Sequence, residues 1–329
     1  MTLAALLDEG AAFDAEYAGG LSNHLPMALL ALARLGATEA RLQAFAQTYS
    51  RRLQPAPPHS PWPAGDAWAA RLGQRAAWPE YRDLFFDWLL HEHSSDVLRQ
   101  ALPPLMQGCG AAAFHGLIRT AYALQSTRRQ ELADALAYWA CRWLDLGAPQ
   151  TAGTEDEPEA VLRQLRAVHS RADLIVQRME AAASTPHFQA TVLRLRVHDG
   201  TLSKLAALAA RAHAASGNFT ALHLVTSAHA ARLLMPYVDE PVAALQAYWR
   251  AFAAAVCVAD LHPVDPPEAQ PWPVLIAAAV ASDDDHLIKL VDSCREEQAA
   301  HGGSVVWQLS ATRAVLDAQA AAAAAAGAA

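Results

Sequence analysis

Apolar residues recur at i, i+3, i+4 and i+7 through residues 37–54, 78–93, 128–146, 158–180, 188–215, 219–236, 239–259 and 304–320, while period-two runs are nearly absent. That spacing lays an apolar stripe along a helix and gives a strand no face to bury. The expected fold is therefore all-α: a large irregular multi-helix domain, with two helical lobes as one possible arrangement and no significant β-sheet. Composition agrees. Hydrophobic residues make up 53% of the chain and charged residues 18%, too few charges to keep an extended chain solvated.

Proline and glycine sit mostly between the periodic segments. Pro55-Ala56-Pro57-Pro58 and Pro103-Pro104 read as breaks. Residues 148–157 read as an exposed polar connection and a candidate lobe boundary. Residues 262–273 carry five prolines and read as an ordered or semi-rigid loop. The expected layout is a helical domain over residues 1–318 and an Ala-rich tail over 319–329. Alanine favours helix, but a tail with no face to bury is expected to fray.

Several function classes fall away. The formal net charge is −8 and no basic run exists, which argues against nucleic acid. No apolar stretch is long enough to span a bilayer, and the N-terminus lacks the positive region of a signal peptide. Cys109, Cys141, Cys257 and Cys294 form no CxxC pair and read as reduced thiols, so the expected location is cytoplasmic. No glycine fingerprint for a dinucleotide, no phosphate loop and no GxSxG elbow is present.

The histidines carry the main chemical signal. His59, His91, His93, His169, His187, His198, His213, His262 and His301 sit in polar or boundary settings and read as surface or capping residues. Five others lie in or beside apolar helical segments. His24 lies in Ser22-Asn23-His24-Leu25-Pro26-Met27, where Ser22 or Asn23 can cap a helix and Pro26 suits its first turn. His115 shares a helix face with Arg119 and Tyr122. His223 and His229 lie six residues apart, so both cannot point the same way along a regular helix. His286 and Lys289 are neighbours on one face, and Lys289 is surrounded by apolar residues. A charged lysine there must be paired, neutral or modified, unless its tip reaches water or Asp285 or Asp292. Histidine is the commonest metal ligand, and several from separate helices can enclose an ion. Spacing alone is a weak signal for this, since no HExxH and no pair of Glu-x-x-His motifs occurs.

These same blocks carry a resemblance. Ser22-Asn23-His24-Leu25-Pro26-Met27, Phe114-His115-Gly116-Leu117-Ile118-Arg119, Ala221-Leu222-His223-Leu224-Val225-Thr226 and His286-Leu287-Ile288-Lys289-Leu290-Val291-Asp292 resemble, in order, the blocks of the questin oxidase-like family. The resemblance runs from about residue 22 to 295. It implies an oxidoreductase, a mononuclear non-haem iron oxygenase acting with dioxygen on an aromatic polyketide or anthraquinone-like substrate. The reaction would be ring cleavage or Baeyer–Villiger-type oxygen insertion. It implies Fe2+ held by His24, His115, His223 or His229, and His286, with Lys289 as a carboxylated lysine, and it raises NADPH as a second cofactor. Arg119 and Tyr122 are the expected groups for orienting a phenolate or quinone oxygen.

A carbamate on Lys289 has a physical logic. An ammonium has no free lone pair, whereas a carbamate offers hard oxygen ligands. Two other readings stand beside this one. A non-catalytic helical scaffold or partner-binding protein would leave the histidines dispersed, or individually hydrogen-bonded to carbonyls. A hydrolase with a carbamylated lysine would call for acidic ligands and a two-metal bridge.

Overall fold

The N-terminal segment closes into α1 (Leu3–Gly10), where the Thr2 hydroxyl accepts from the Ala5 amide. A tight turn at Ala18-Gly19, both at positive φ, then folds β1 (Glu16–Tyr17) back onto β2 (Leu21–Ser22). The hairpin is antiparallel, pairing Glu16 with Ser22 and Tyr17 with Leu21, and it is the only sheet among the described residues. The computed structural model describes residues 1–65, 67–147 and 153–327. Glu16 anchors the hairpin from a buried position, accepting from Arg75 and Arg142 and from the Tyr138 hydroxyl.

Everything else regular is helix, as the periodicity predicts. The first half carries α2 (Leu25–Arg34), α3 (Glu39–Ser50), α4 (Trp78–His91), α5 (Ser94–Gln107), α6 (His115–Ser126) and α7 (Arg129–Arg142). The second half carries α8 (Pro158–Leu162), α9 (Ile175–Ala183), α10 (Pro186–Val192), α11 (Thr201–Ala214), α12 (Phe219–Leu234), α13 (Pro241–Cys257), α14 (Trp272–Ala281), α15 (Asp285–Ala300) and α16 (Val306–Gly327). The core holds Trp78, Tyr81, Phe85, Phe114, Trp139, Tyr248 and Trp307 fully buried, each contributing roughly 1.5–3 kcal/mol through apolar burial. All four cysteines are free and buried. No helix among the described residues is long and apolar enough to cross a membrane.

Four sequence expectations need correction. Residues 158–180 and 188–215 are not single helices. In the first, the Val168 amide leaves the helical pattern to donate to the Cys257 carbonyl (2.9 Å). In the second, residues 194–196 pair with Glu155 through backbone bonds, and the His198 amide donates to the Thr201 hydroxyl (2.9 Å) to start α11 afresh. Pro103-Pro104 does not break the chain: both prolines lie inside α5. The carbonyls they leave unpaired belong to Arg99 and Gln100, which are exposed, so water can replace the missing donors. The alanine tail stays helical as far as Gly327, local propensity outweighing the absence of a buried face. Of the polar connection at 148–157, residues 148–152 lie outside the described residues. The Pro-rich loop is ordered: Val264 donates to the Ala215 carbonyl (2.6 Å), and Arg313 donates to the Asp265 carbonyl (2.9 Å).

Helices from both sides of that connection meet at one place. α2 packs on α6 and α15, and α12 packs on α6 and α15. Gly116, directly after His115, allows α6 to lie close on α7. A Cβ there would come within 2.7 Å of the Trp139 Cγ and 2.8 Å of its Cα. Gly116→Ala is expected to cost about 1–3 kcal/mol by overpacking. A lower denaturant midpoint at unchanged m would register it.

Candidate metal centre

Each of four helices delivers one histidine from its N-terminal end. His24 immediately precedes α2, His115 opens α6, His223 lies in the second turn of α12, and His286 lies in the first turn of α15. Local chemistry fixes each start. The Asn23 side chain accepts from the Leu25 amide (3.0 Å), and the His24 amide donates to the Tyr49 hydroxyl (3.0 Å). Asn218 caps α12 through the amides of Thr220 and Ala221, and Asp284 caps α15 through those of His286 and Leu287. The start of α6 is strained instead. Ala112, Ala113 and Phe114 all adopt positive φ (47°, 53° and 70°), a conformation costing roughly 1–2 kcal/mol for a residue with a Cβ. Such runs persist only where the surroundings enforce them, and they cluster at functional sites.

The four rings converge. His24 stacks on His115 with centroids 4.6 Å apart and meets His286 edge-on at 4.7 Å. His223 lies 4.9 Å from His115 and 5.4 Å from His286. One ring nitrogen from each of His24, His115 and His286 lies within 4.8 Å of the others. The Nδ1 atoms face outward. That of His24 bonds Asp285, that of His115 the Ala112 carbonyl, and that of His223 the Phe219 carbonyl (2.8 Å). The Nδ1 of His286 lies 3.2 Å from Asp285. The Nε2 atoms of His24, His115 and His286 are buried with no hydrogen-bond partner. Orphaned nitrogens of this kind cost roughly 1–3 kcal/mol each unless something accepts their lone pairs. A metal ion fits that requirement, since a ligating imidazole commonly ties its other nitrogen to a carbonyl or carboxylate.

Electrostatics keeps the lone pairs free. Burial, then the Lys289 charge, lowers the pKa of His24 and holds that of His286 well below normal. Burial and the neighbouring histidines do the same for His115, and burial brings His223 down to about 3. Burial acts to raise the Asp285 pKa, but His24, His286 and Lys289 outweigh it and hold the carboxyl well below its usual range. Burial thus biases each imidazole toward its neutral form, and the nearby positive charge biases Asp285 toward its ionised form.

The sequence matches the family described as Questin oxidase-like over residues 21–193 and 197–294, a span that includes all four histidines. The chain belongs to the Questin oxidase-like family. No curated protein matches the chain. The family's description points to an oxidase.

The other candidate residues are divided by the fold. Lys289 lies one turn beyond His286, only 2% exposed, so its tip does not reach water. Its Nζ is 3.8 Å from Asp285, and burial lowers its pKa to about 8. His229 is not part of the quartet. Its Nδ1 bonds Glu297 (2.7 Å), a carboxylate shared with Arg232 and His301. Arg119 is spent on Glu131 through two bonds of 2.7 and 2.8 Å, and the Tyr122 hydroxyl donates to Asp292 (2.9 Å). Neither lines the cavity beside the histidines. Ser22 does not cap α2; its hydroxyl is paired with that of Tyr138 (2.7 Å). His213, read from sequence as a boundary residue, is buried against Ser310 (2.9 Å), and burial lowers its pKa to about 4.

The quartet forms one wall of a cavity of about 380 Å³, within the roughly 300–1,000 Å³ typical of small-molecule pockets. The hairpin supplies Tyr17 and Leu21, the strained turn supplies Ala112 and Ala113, and the start of α9 supplies Leu174, Ile175, Val176 and Arg178. Phe219 is 52% exposed at the same cavity, its ring 4.6 Å from that of His223 and 4.7 Å from that of His286. Phe219 and Arg178 were not singled out by sequence reasoning, and Asp285 was named there only as one of two carboxylates that Lys289 could reach, a contact the structure contains at 3.8 Å. Asp285 was the most readable of them, lying next to His286 and one helical turn from Lys289.

Proposed function

We propose that this protein is an oxidoreductase in which His24, His115, His223 and His286 hold a single Fe2+ and an aromatic polyketide ring occupies the adjoining cavity. The observation that carries this reading is the inward set of buried, unpartnered Nε2 atoms on His24, His115 and His286, with the Nδ1 side of each ring engaged or facing Asp285. Iron would supply redox chemistry toward dioxygen. The chain's own residues do the rest. The Ala112 and Phe219 carbonyls accept from the Nδ1 protons of His115 and His223, which leaves each Nε2 lone pair free. Asp285 does the same for His24 and adds a negative charge that favours a cation. Apolar walls from Leu21, Leu174, Ile175 and Val176 suit a planar ring, and Phe219 offers it an aromatic face beside His223 and His286.

Lys289 is the candidate carboxylated lysine. The lone pair of its neutral amine adds to the carbon of carbon dioxide, and one proton leaves, giving an N-carboxylate. Burial that lowers its pKa to about 8 supports this, because a usable fraction of the amine is neutral. Protein equilibrated with labelled bicarbonate is expected to give a carbamate resonance that Lys289→Arg lacks.

The decisive test of the whole reading is elemental analysis of purified protein together with oxygen uptake on hydroxyanthraquinones, with and without NADPH. Stoichiometric iron and substrate-dependent uptake lost on chelation are expected. Product mass separates insertion of one oxygen atom from ring cleavage that incorporates two. Protein that retains no iron, whether as purified or after reconstitution, overturns the reading.

A further inference from the structure

Arg178 stands out among the cavity residues. It lines the cavity, its Nε is buried, and that atom has no hydrogen-bond partner. No described carboxylate lies within ion-pair distance of it, although Asp173 lines the same wall. Most other arginines around the core are engaged: Arg82 with Asp134, Arg119 with Glu131, Arg232 with Glu297. A guanidinium always carries its charge, and its fork of donors matches a planar oxyanion. A buried donor left unmade costs roughly 1–3 kcal/mol, so a cavity that keeps one is organised around a ligand atom that will meet it.

The surroundings narrow the chemistry of that atom. Leu174, Ile175 and Val176 come from the same stretch of α9 as Arg178, and Phe219 lies by the histidines. The occupant therefore presents apolar, flat surface to most of the cavity and negative charge at one edge. We propose that Arg178 anchors an anionic oxygen, a carboxylate or a phenolate, borne on the edge of a planar aromatic substrate. Arg178 is thus the specificity-determining residue of the pocket, the role that sequence reasoning gave to Arg119. The proposal rests on the reading of this cavity as the substrate pocket of the oxidoreductase. It does not depend on which oxidation follows.

The test is direct binding to the protein as purified, with iron content measured in parallel. The probes are anthraquinone-2-carboxylate and its uncharged carboxamide, and binding is read by quenching of intrinsic fluorescence. Wild type is expected to prefer the carboxylate by about tenfold to a hundredfold, the range for a hydrogen bond to a charged group. Arg178→Met is expected to remove that preference while leaving carboxamide affinity and iron content unchanged and the melting temperature no lower, since the unmade donor goes with the guanidinium. Arg178→Lys is expected to keep part of it, as a point charge without the fork. Titrating 2-hydroxyanthraquinone through its phenol ionisation tells the two oxyanion sources apart: tighter binding above the ionisation that Arg178→Met abolishes assigns a phenolate. Equal binding of carboxylate and carboxamide to wild type, a preference that survives Arg178→Met, or binding of neither probe overturns the proposal. Iron content and oxygen uptake judge the oxidoreductase reading separately, so its failure and the failure of the Arg178 assignment are distinguishable.

Discussion

Without metal, His115→Leu protein is expected to be at least as stable as wild type, and it is expected to lose iron-dependent stabilisation entirely. The cause is the buried, unpartnered Nε2 of His115. In metal-free protein that atom is a liability of roughly 1–3 kcal/mol, and leucine of similar volume removes it. The substitution also frees the Ala112 carbonyl, but Ala112 is only partly buried, so water can take the place of the Nδ1–H. With iron the sign reverses. Metal binding only the folded state stabilises wild type by about 2.7 kcal/mol at a hundredfold excess over Kd, and a site missing one imidazole forfeits that increment. Thermal melts with and without Fe2+ read both halves. His229→Leu is the contrast. It strips a partner from Glu297, which is fully buried, and so is expected to destabilise the protein without changing its iron content. If His115→Leu instead destabilises the metal-free protein and leaves the response to iron intact, the histidine is a packing residue and the proposed centre is wrong.

The contrast between His115 and His229 also marks what the sequence could and could not convey. Helical periodicity is a local property, so fourteen-residue helices such as α4 and α7 were legible from spacing alone. Where the fold departs from the pattern, a tertiary partner is responsible: the Cys257 carbonyl draws Val168 out of a helix, and Glu155 draws residues 194–196 into a bridge. The hairpin at Glu16–Ser22 was missed because its strands are two residues each, although Gly19-Gly20 was a usable turn signal. At the site, residue types were legible but directions were not. His223 and His229 share a helix, and only the position of α15 decides that one faces the quartet and the other faces Glu297. Arg119 shares the face of His115 by spacing, yet Glu131 from the next helix claims it. The left-handed run Ala112–Phe114 has no glycine to announce it. Arg178 belongs to a segment with no motif and becomes conspicuous only once the cavity exists.

Asp285 is where these threads bear on function most sharply, because one carboxylate faces three members of the site. It bonds the Nδ1 of His24, lies 3.2 Å from that of His286, and lies 3.8 Å from the Lys289 Nζ. Two effects follow from that placement. Orientation comes first: an acceptor on Nδ1 fixes which nitrogen of His24 carries the proton and therefore which one offers a lone pair. Charge comes second: an anion beside the rings makes them better donors to a cation. Asp285→Asn keeps an acceptor of the same shape and removes the charge, whereas Asp285→Leu removes both. Iron affinity is expected to fall about tenfold to a hundredfold in Asp285→Asn, the usual loss for an outer partner of a metal ligand, and further in Asp285→Leu. Where Lys289 is an unmodified ammonium rather than the N-carboxylate, both variants also leave it buried without its anion, a change that costs about 3–5 kcal/mol for a buried pair, so affinity is measured by chelator competition on protein shown to be folded. Equal affinities in wild type and both variants would mean that Asp285 serves only to hold Lys289 in the core. A graded order, wild type above asparagine above leucine, separates charge from orientation and identifies Asp285 as a positioning residue for the metal-binding histidines.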